Sequence, residues 1–176
     1  MQYLEAVDKA QRQPTAPTAS TGSFLRDYWL APEHDERNHV LVRTSDAMIL
    51  LNAFPYSNGH LLVALGEARP TLLDYSPEQR ASLWRHVDLA AELLHVALEP
   101  QGVNIGINQG RAAGAGVPQH LHVHLVPRWN GDVNFMSVVG QVRVIPASLE
   151  HSAAKFRAAW SRLKPASSPG APPTNL

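Results

Sequence analysis

Hydrophobic and polar positions alternate in short runs along the middle of the chain, and residues that favour turns bound each run. His39 to Arg43 and Ala47 to Leu51 read as two strands around Thr44-Ser45-Asp46. His60 to Leu65 reads as a third strand, after the turn-rich loop Asn52-Ala53-Phe54-Pro55-Tyr56-Ser57-Asn58-Gly59. The period then changes, and Leu83, Val87, Ala90, Leu94 and Ala97 recur at the spacing of one helix face. Ser76, Pro77 and Gln79 supply an N-cap, a first-turn proline and a capping-box partner, while Pro100 and Gly102 mark the end. Val103 to Asn108 alternates again, Gly110 to Gly116 is a loop of small residues, and a further strand begins at His120. A last helix is predicted over Leu149 to Leu163. Three strands, a helix and then two or three strands do not make a repeating strand-helix-strand unit. The pattern predicts an α+β fold on a mostly antiparallel sheet, with no internal repeat.

Composition narrows this further. A chain of 176 residues that is 44% hydrophobic and 17% charged suits one domain with a sizeable core. Residues 11 to 23 and 165 to 176 are rich in Pro, Ser, Thr, Gly and other polar or small residues, so a flexible segment over 1–23 and a disordered tail over 165–176 are expected. Fifteen basic residues balance fifteen acidic ones, which argues against nucleic acid or a membrane surface as a partner. The absence of cysteine removes disulfides, thiolate zinc ligands and cysteine nucleophiles. No stretch approaches the roughly 18 apolar residues of a membrane span, and the first residues lack the apolar run of a secretory signal, so a cytoplasmic location is expected.

Candidate chemistry concentrates in His120-Leu121-His122-Val123-His124-Leu125. On a strand, side chains repeat their direction every second residue, so the three imidazoles are expected on one face, neighbours about 6.6 Å apart. With nine His in 176 residues, chance would produce such a triple at an expected count of roughly 0.02, so chance is a poor explanation. An imidazole titrates near pH 6.5 and offers a free lone pair at neutral pH, so it can attack phosphorus or bind a metal ion. Gly110, Gly114 and Gly116 let the preceding backbone approach an anion closely. Asn52 can equally bond its own backbone at a turn, and His60 can equally be a satisfied core residue. His34, His39, His86, His95 and His151 read most simply as surface or helix residues.

The triple, continued by Leu125-Val126-Pro127-Arg128-Trp129, resembles the signature of the histidine-triad superfamily of nucleotide hydrolases and nucleotidyl transferases. The similarity covers roughly Phe24 to Arg162. Asn52-Ala-Phe-Pro-Tyr-Ser-Asn-Gly-His60 and Pro127-Arg-Trp-Asn-Gly-Asp-Val-Asn-Phe135 place it nearest the branch of bacterial diadenosine tetraphosphate phosphorylases and fragile-histidine-triad hydrolases. The resemblance implies a HIT-like fold, a five-stranded sheet with packed helices, a catalytic domain over 24–164 and a homodimer. It implies that His122 attacks the α-phosphate of a nucleotide or dinucleoside polyphosphate, forming a nucleotidyl-histidine that water or phosphate resolves. His120 and His124 would donate hydrogen bonds to nonbridging oxygens, with His124 or a nearby group protonating the leaving oxygen.

By the same resemblance Asn52 would bind the ribose hydroxyls, and Asn108 or Gln109 would hold phosphate or leaving-group oxygens. His60 would support the nucleophile's side of the sheet. Trp129 is either a lid near the leaving group or a residue packed at a dimer interface. Two features depart from the branch: Gly116-Val117 carries no side-chain donor, which leaves the phosphate grip to backbone amides, and the region Phe24 to Trp29 lacks the cysteine pair of a zinc site, so no structural zinc is expected. The chemistry requires no resident cofactor, and a divalent cation bound together with the substrate phosphates is compatible with it. Two other classes stand beside this one: a nucleotide-binding module with vestigial catalysis, and a metalloenzyme using His120, His122 and His124.

Overall fold

Every strand in the fold pairs antiparallel with its neighbour, in the order β1-β2-β3-β5-β4. The structure is a computed structural model that describes residues 21–132 and 147–163. Its strands are β1 (Val40–Arg43), β2 (Ala47–Leu51), β3 (Leu61–Leu65), β4 (Gly102–Ile107) and β5 (His122–Arg128), and its α-helices are α1 (Phe24–Leu30), α2 (Pro77–Leu98) and α3 (Leu149–Leu163). The expected α+β class and five-stranded sheet are present, and each expected strand and helix occurs within two residues of its expected bounds. Ser76 and Gln79 form the capping box of α2, and the helix ends at Glu99 in a left-handed conformation. No helix among the described residues is long and apolar enough to cross a membrane.

Directly opposed residues in a ladder share a face. Ile49, Val63, Val123 and Ile107 therefore lie on one face of the sheet, with Leu51, Leu61 and Leu125 beside them. That face carries the main core, closed by Leu83, Val87, Ala90 and Leu94 of α2 and Ala153, Phe156 and Ala159 of α3. The opposite face carries Met48, Leu50, Leu62 and Ala64, which α1 covers with the fully buried Leu25, and across β5 it carries His122 and His124. On β4 the residues of this second face are Gly102, Asn104 and Gly106, small or polar, so no aliphatic side chain from that strand covers the histidines.

Three differences from the sequence expectation bear on function. Strand β5 starts at His122, and His120 sits in a bend just ahead of it. Helix α1 was not expected; Ser23 caps it, accepting the Arg26 N–H at 3.3 Å, and is itself 1% exposed. Residues 1–20 and 165–176 lie outside the described residues, so the expectations for both ends rest there, except that Ser23 is part of the packed fold. His86, expected at the surface or on a helix, lies on α2 and is buried: its Nδ1–H donates to the Ser82 carbonyl at 2.8 Å and its Nε2 accepts from Thr44 at 3.0 Å, tying α2 to the β1–β2 turn.

The loop before β3 is pinned at three points. Ser57 donates to the Pro127 carbonyl at 2.7 Å, Ser152 of α3 donates to Asn58 at 3.0 Å, and Gly59 has a φ of +79°. A Cβ at Gly59 would overlap Leu98, so only glycine admits both the backbone turn and the contact with α2.

Candidate active site

Hydrogen bonds with fixed donors determine which nitrogen of each histidine carries a proton. The Tyr56 backbone N–H, which can only donate, reaches His60 Nδ1 at 3.1 Å, and the Asn52 amide nitrogen lies 3.2 Å from the same atom. His60 therefore carries its proton on Nε2 and donates it to His124 Nδ1 at 3.0 Å. His124 in turn is protonated on Nε2, and that N–H is buried with no partner among the described residues. A buried donor left unsatisfied costs about 1–3 kcal/mol, which suits a group held ready for an anionic ligand.

The same logic applies to the other two rings. His120 donates Nε2–H to the Leu65 carbonyl at 2.7 Å and accepts the Ser23 hydroxyl on Nδ1 at 3.0 Å. His122 donates Nδ1–H to the His120 carbonyl at 2.8 Å. Its Nε2 therefore bears the lone pair, has no partner among the described residues, and is not sealed from solvent, although the ring as a whole is only 6% exposed. His122 and His124 lie edge to face with ring centroids 4.9 Å apart. The site thus presents one free lone pair beside one free N–H.

Burial holds all three triad rings below the ordinary imidazole range. His120 and His124 are pushed down to about 4, by burial first and then by neighbouring charge, chiefly His122; His122 is also lowered by burial, against the opposing pull of the His120 carbonyl. The triad is consequently neutral at pH 7, and the lone pair of His122 stays available into the acid range. We expect the acid limb of kcat/KM to fall below pH 6.5 rather than at it, which a pH–rate profile with a ring-unrelated buffer series checks. Stability follows the same sign: the unfolded chain binds more protons than the native one between pH 6.5 and about 4, so each of His120 and His124 withdraws on the order of 3 kcal/mol as pH falls through that window.

The other expected site residues are distributed as follows. Asn108 follows Ile107, which pairs with Val123, so Asn108 falls opposite His122 on the same face, and its side chain makes no hydrogen bond among the described residues. Gly106 pairs with His124, and nothing lies within 4 Å of the place its Cβ would occupy, which leaves open space at that point of β4. Gly116 is exposed, and its N–H and that of Val117 make no hydrogen bond among the described residues, so the loop leading into His120 offers two free amides. Gln109 is turned away, accepting from the Leu72 N–H at 2.9 Å. Asn52 accepts the Phe54 N–H at 3.0 Å as a local turn while holding His60, so the bonds it makes are turn and support bonds. Trp129 is half-buried at the end of β5, its N–H on Asp132 at 3.2 Å. His120, expected to flank the nucleophile and donate to phosphate, has both nitrogens engaged internally. It reaches the site through its carbonyl instead.

Sequence reasoning passed over two residues. Tyr56 lies against His60 and stacks on His124, with ring centroids 4.7 and 5.8 Å away. Ser23 bonds His120 from 97 residues away, and only its N-cap character, followed by Asp27 in the first turn of a short helix, marked it in the sequence. Among the described residues no three His, Asp or Glu side chains are arranged to hold a metal ion.

The face of the antiparallel sheet thus presents a neutral histidine lone pair beside a histidine N–H. The HIT domain family model matches residues 33–131, and the chain belongs to that family. It is 33% identical over 162 residues to the AP-4-A phosphorylase of Mycobacterium tuberculosis, covering 92% of this chain and 81% of that one. It is 34% identical over 95 residues to the asymmetrical bis(5'-nucleosyl)-tetraphosphatase of Schizosaccharomyces pombe, covering 54% of this chain and 52% of that one. Among solved structures it is similar to a zinc-bound histidine triad family protein from Mycobacterium smegmatis, at a TM-score of 0.63 and 29% identity over 78% of this chain and 94% of that one. Helix α1 and Ser23 lie ahead of the matched family segment.

Proposed function

We propose that this chain cleaves dinucleoside polyphosphates, such as diadenosine tetraphosphate, at an α-phosphate through His122, with inorganic phosphate as the second acceptor. The observation that carries the reading is His122 Nε2, whose lone pair is free and whose tautomer is set by the His120 carbonyl. The relatives support the substrate class. The protein named as a phosphorylase aligns over 92% of this chain, and the one named as a tetraphosphatase over 54%, which favours phosphate over water.

In the first step the Nε2 lone pair forms an N–P bond, and the bond from that phosphorus to the polyphosphate oxygen breaks, its electron pair leaving with the oxygen. The leaving oxygen becomes a terminal phosphate, whose second ionisation lies near pH 6, so it departs as an anion and needs no proton at pH 7. This matches the relay. His124 can give up Nε2–H only by taking the proton of His60, whose Nδ1 already accepts from the Tyr56 N–H, a backbone donor that keeps its proton. His124 therefore acts as a hydrogen-bond donor to the developing charge, together with the amides of Gly116 and Val117 and the Asn108 side chain. The His120 carbonyl stabilises the imidazolium of the intermediate through Nδ1–H. A phosphate oxygen then attacks the same phosphorus, the N–P bond breaks, and the pair returns to Nε2.

The homodimer belongs to the same proposal. Among the described residues strand β4 is a sheet edge, exposed along most of its length and including Ile105 at 46%, and a sheet edge of that kind is a template for a second copy. Sedimentation of a monomer at micromolar concentration would remove that part. For the reaction, the test is the product pattern from diadenosine tetraphosphate. ADP plus ATP with phosphate present supports the reading; AMP plus ATP regardless of phosphate moves the second acceptor to water. Tight nucleotide binding with no products replaces the enzyme by a binding module.

A further inference from the structure

Resting on the reading of His122 as nucleophile, we propose that Ser23 is a positioning residue for it: the Ser23 hydroxyl holds His120 in the orientation and tautomer that set the His120 carbonyl against His122 Nδ1. The His120 ring is fully buried and is clamped from two sides. On one side the Leu65 carbonyl at the end of β3 can only accept, so Nε2 carries the proton. On the other, Nδ1 is a lone pair whose one donor among the described residues is Ser23. Ser23 is free to donate because its lone pair, and not its proton, serves the helix cap at the Arg26 N–H.

The clamp extends through α1. Arg26 donates to the Gly66 carbonyl, one residue beyond Leu65, and the Trp29 ring is packed so closely on Gly66 that a Cβ there would overlap it. The Gln119 side chain, adjacent to His120, donates to the Gly22 carbonyl, and Thr21 donates to the Ser23 carbonyl at 3.1 Å. Leu25 anchors the helix, fully buried among Met48, Leu50, Leu62 and Ala64 on the histidine face. A segment lying ahead of the matched family domain thus docks on the face that carries the nucleophile, and it touches the reacting ring through a single side chain and a single carbonyl. No bond from this segment reaches the lone pair itself, so it sets geometry without taking part in the reaction.

Substitutions of Ser23 in the full chain separate this role from helix capping. Ser23→Ala is expected to lower kcat about 10- to 100-fold, the range for removing the partner that orients a functional histidine, with KM changed less than about twofold because ground-state contacts are untouched. Ser23→Thr keeps both cap and hydroxyl and is expected to restore most of kcat. Ser23→Asp caps as well as serine but cannot donate. Its carboxylate would hold His120 protonated against burial and against the two groups that face the ring, the Arg26 cation and His122, which opposes it only where that ring is itself protonated. Its kcat is therefore expected to stay low and its acid limb to move to higher pH. Equal kcat for the Asp and Ser proteins would overturn the proposal, since a cap alone predicts that result.

Nitrogen-15 spectra of the imidazoles decide the matter independently of turnover. In the wild type His120 is expected as the neutral Nε2–H tautomer and His122 as the Nδ1–H tautomer. Loss of either pattern in a folded Ser23→Asp or Ser23→Ala protein supports the proposal, and unchanged patterns overturn it. A wild type that cleaves no dinucleoside polyphosphate would defeat the functional reading alone, because the spectra would still report the Ser23–His120–His122 linkage.

Discussion

Replacing His122 by alanine is expected to lower turnover of diadenosine tetraphosphate by about 10,000-fold or more, the scale seen when a residue of a coupled nucleophilic unit is removed. No neighbouring ring among the described residues can substitute. Among the neighbouring rings, His120 has both nitrogens engaged, and His124 presents an N–H rather than a lone pair. The fold should tolerate the change, because among the described residues the His122 ring makes one hydrogen bond, the one to the His120 carbonyl. Single-turnover kinetics and peptide mass spectrometry check it together: the wild type should trap AMP on the peptide carrying residue 122, and the variant should trap none. Full turnover in His122→Ala would end the mechanism.

The second large effect belongs to His124. Changing it to phenylalanine keeps a ring of similar size against Tyr56 but deletes the buried N–H. Loss of one preorganised donor to a developing oxyanion costs about 100- to 1,000-fold in kcat. A structural cost accompanies it, because His60 Nε2–H loses its acceptor at a fully buried position, and an unsatisfied buried donor destabilises by about 1–3 kcal/mol. Thermal unfolding should therefore show a lower Tm for His124→Phe. His60→Ala is expected to approach the same loss of kcat, since His124 then has no donor fixing its tautomer, and the double variant should be little worse than either single one, as expected for residues that act as a unit. Additive losses would show that the two rings act separately.

Much of this architecture was legible in the chain because its signals are local. Alternation in Ala47 to Leu51 and the capping box at Ser76 depend on neighbours within a few residues, and both elements formed where the pattern indicated. The triple of histidines announced itself by type and spacing. The short helix α1 escaped because seven residues carry too little periodicity to stand out, and because what stabilises it is docking on the sheet: Leu25 on Leu62 and Ala64, and Trp29 on Gly66.

The expectation for His120 illustrates the boundary. Two-residue spacing identifies the three rings but not their partners, and His120 lies in a bend ahead of the strand that begins at His122. Where a side chain points depends on which carbonyl or hydroxyl waits for it, and for His120 those belong to Leu65 and Ser23, 55 and 97 residues away. Likewise Asn52 carries two kinds of polar atom, and the nearby Phe54 amide and His60 ring determine how they are used.

By itself, then, the sequence determined the kinds of element, the family and the set of groups able to do chemistry, because residue type and short-range periodicity depend only on covalent neighbours. Only the tertiary structure decided which nitrogen is free, which is protonated and which is a structural tie. A proton's place on an imidazole is set by the fixed donor or acceptor it meets across the sheet, and those partners come together only when the strands and α1 pack.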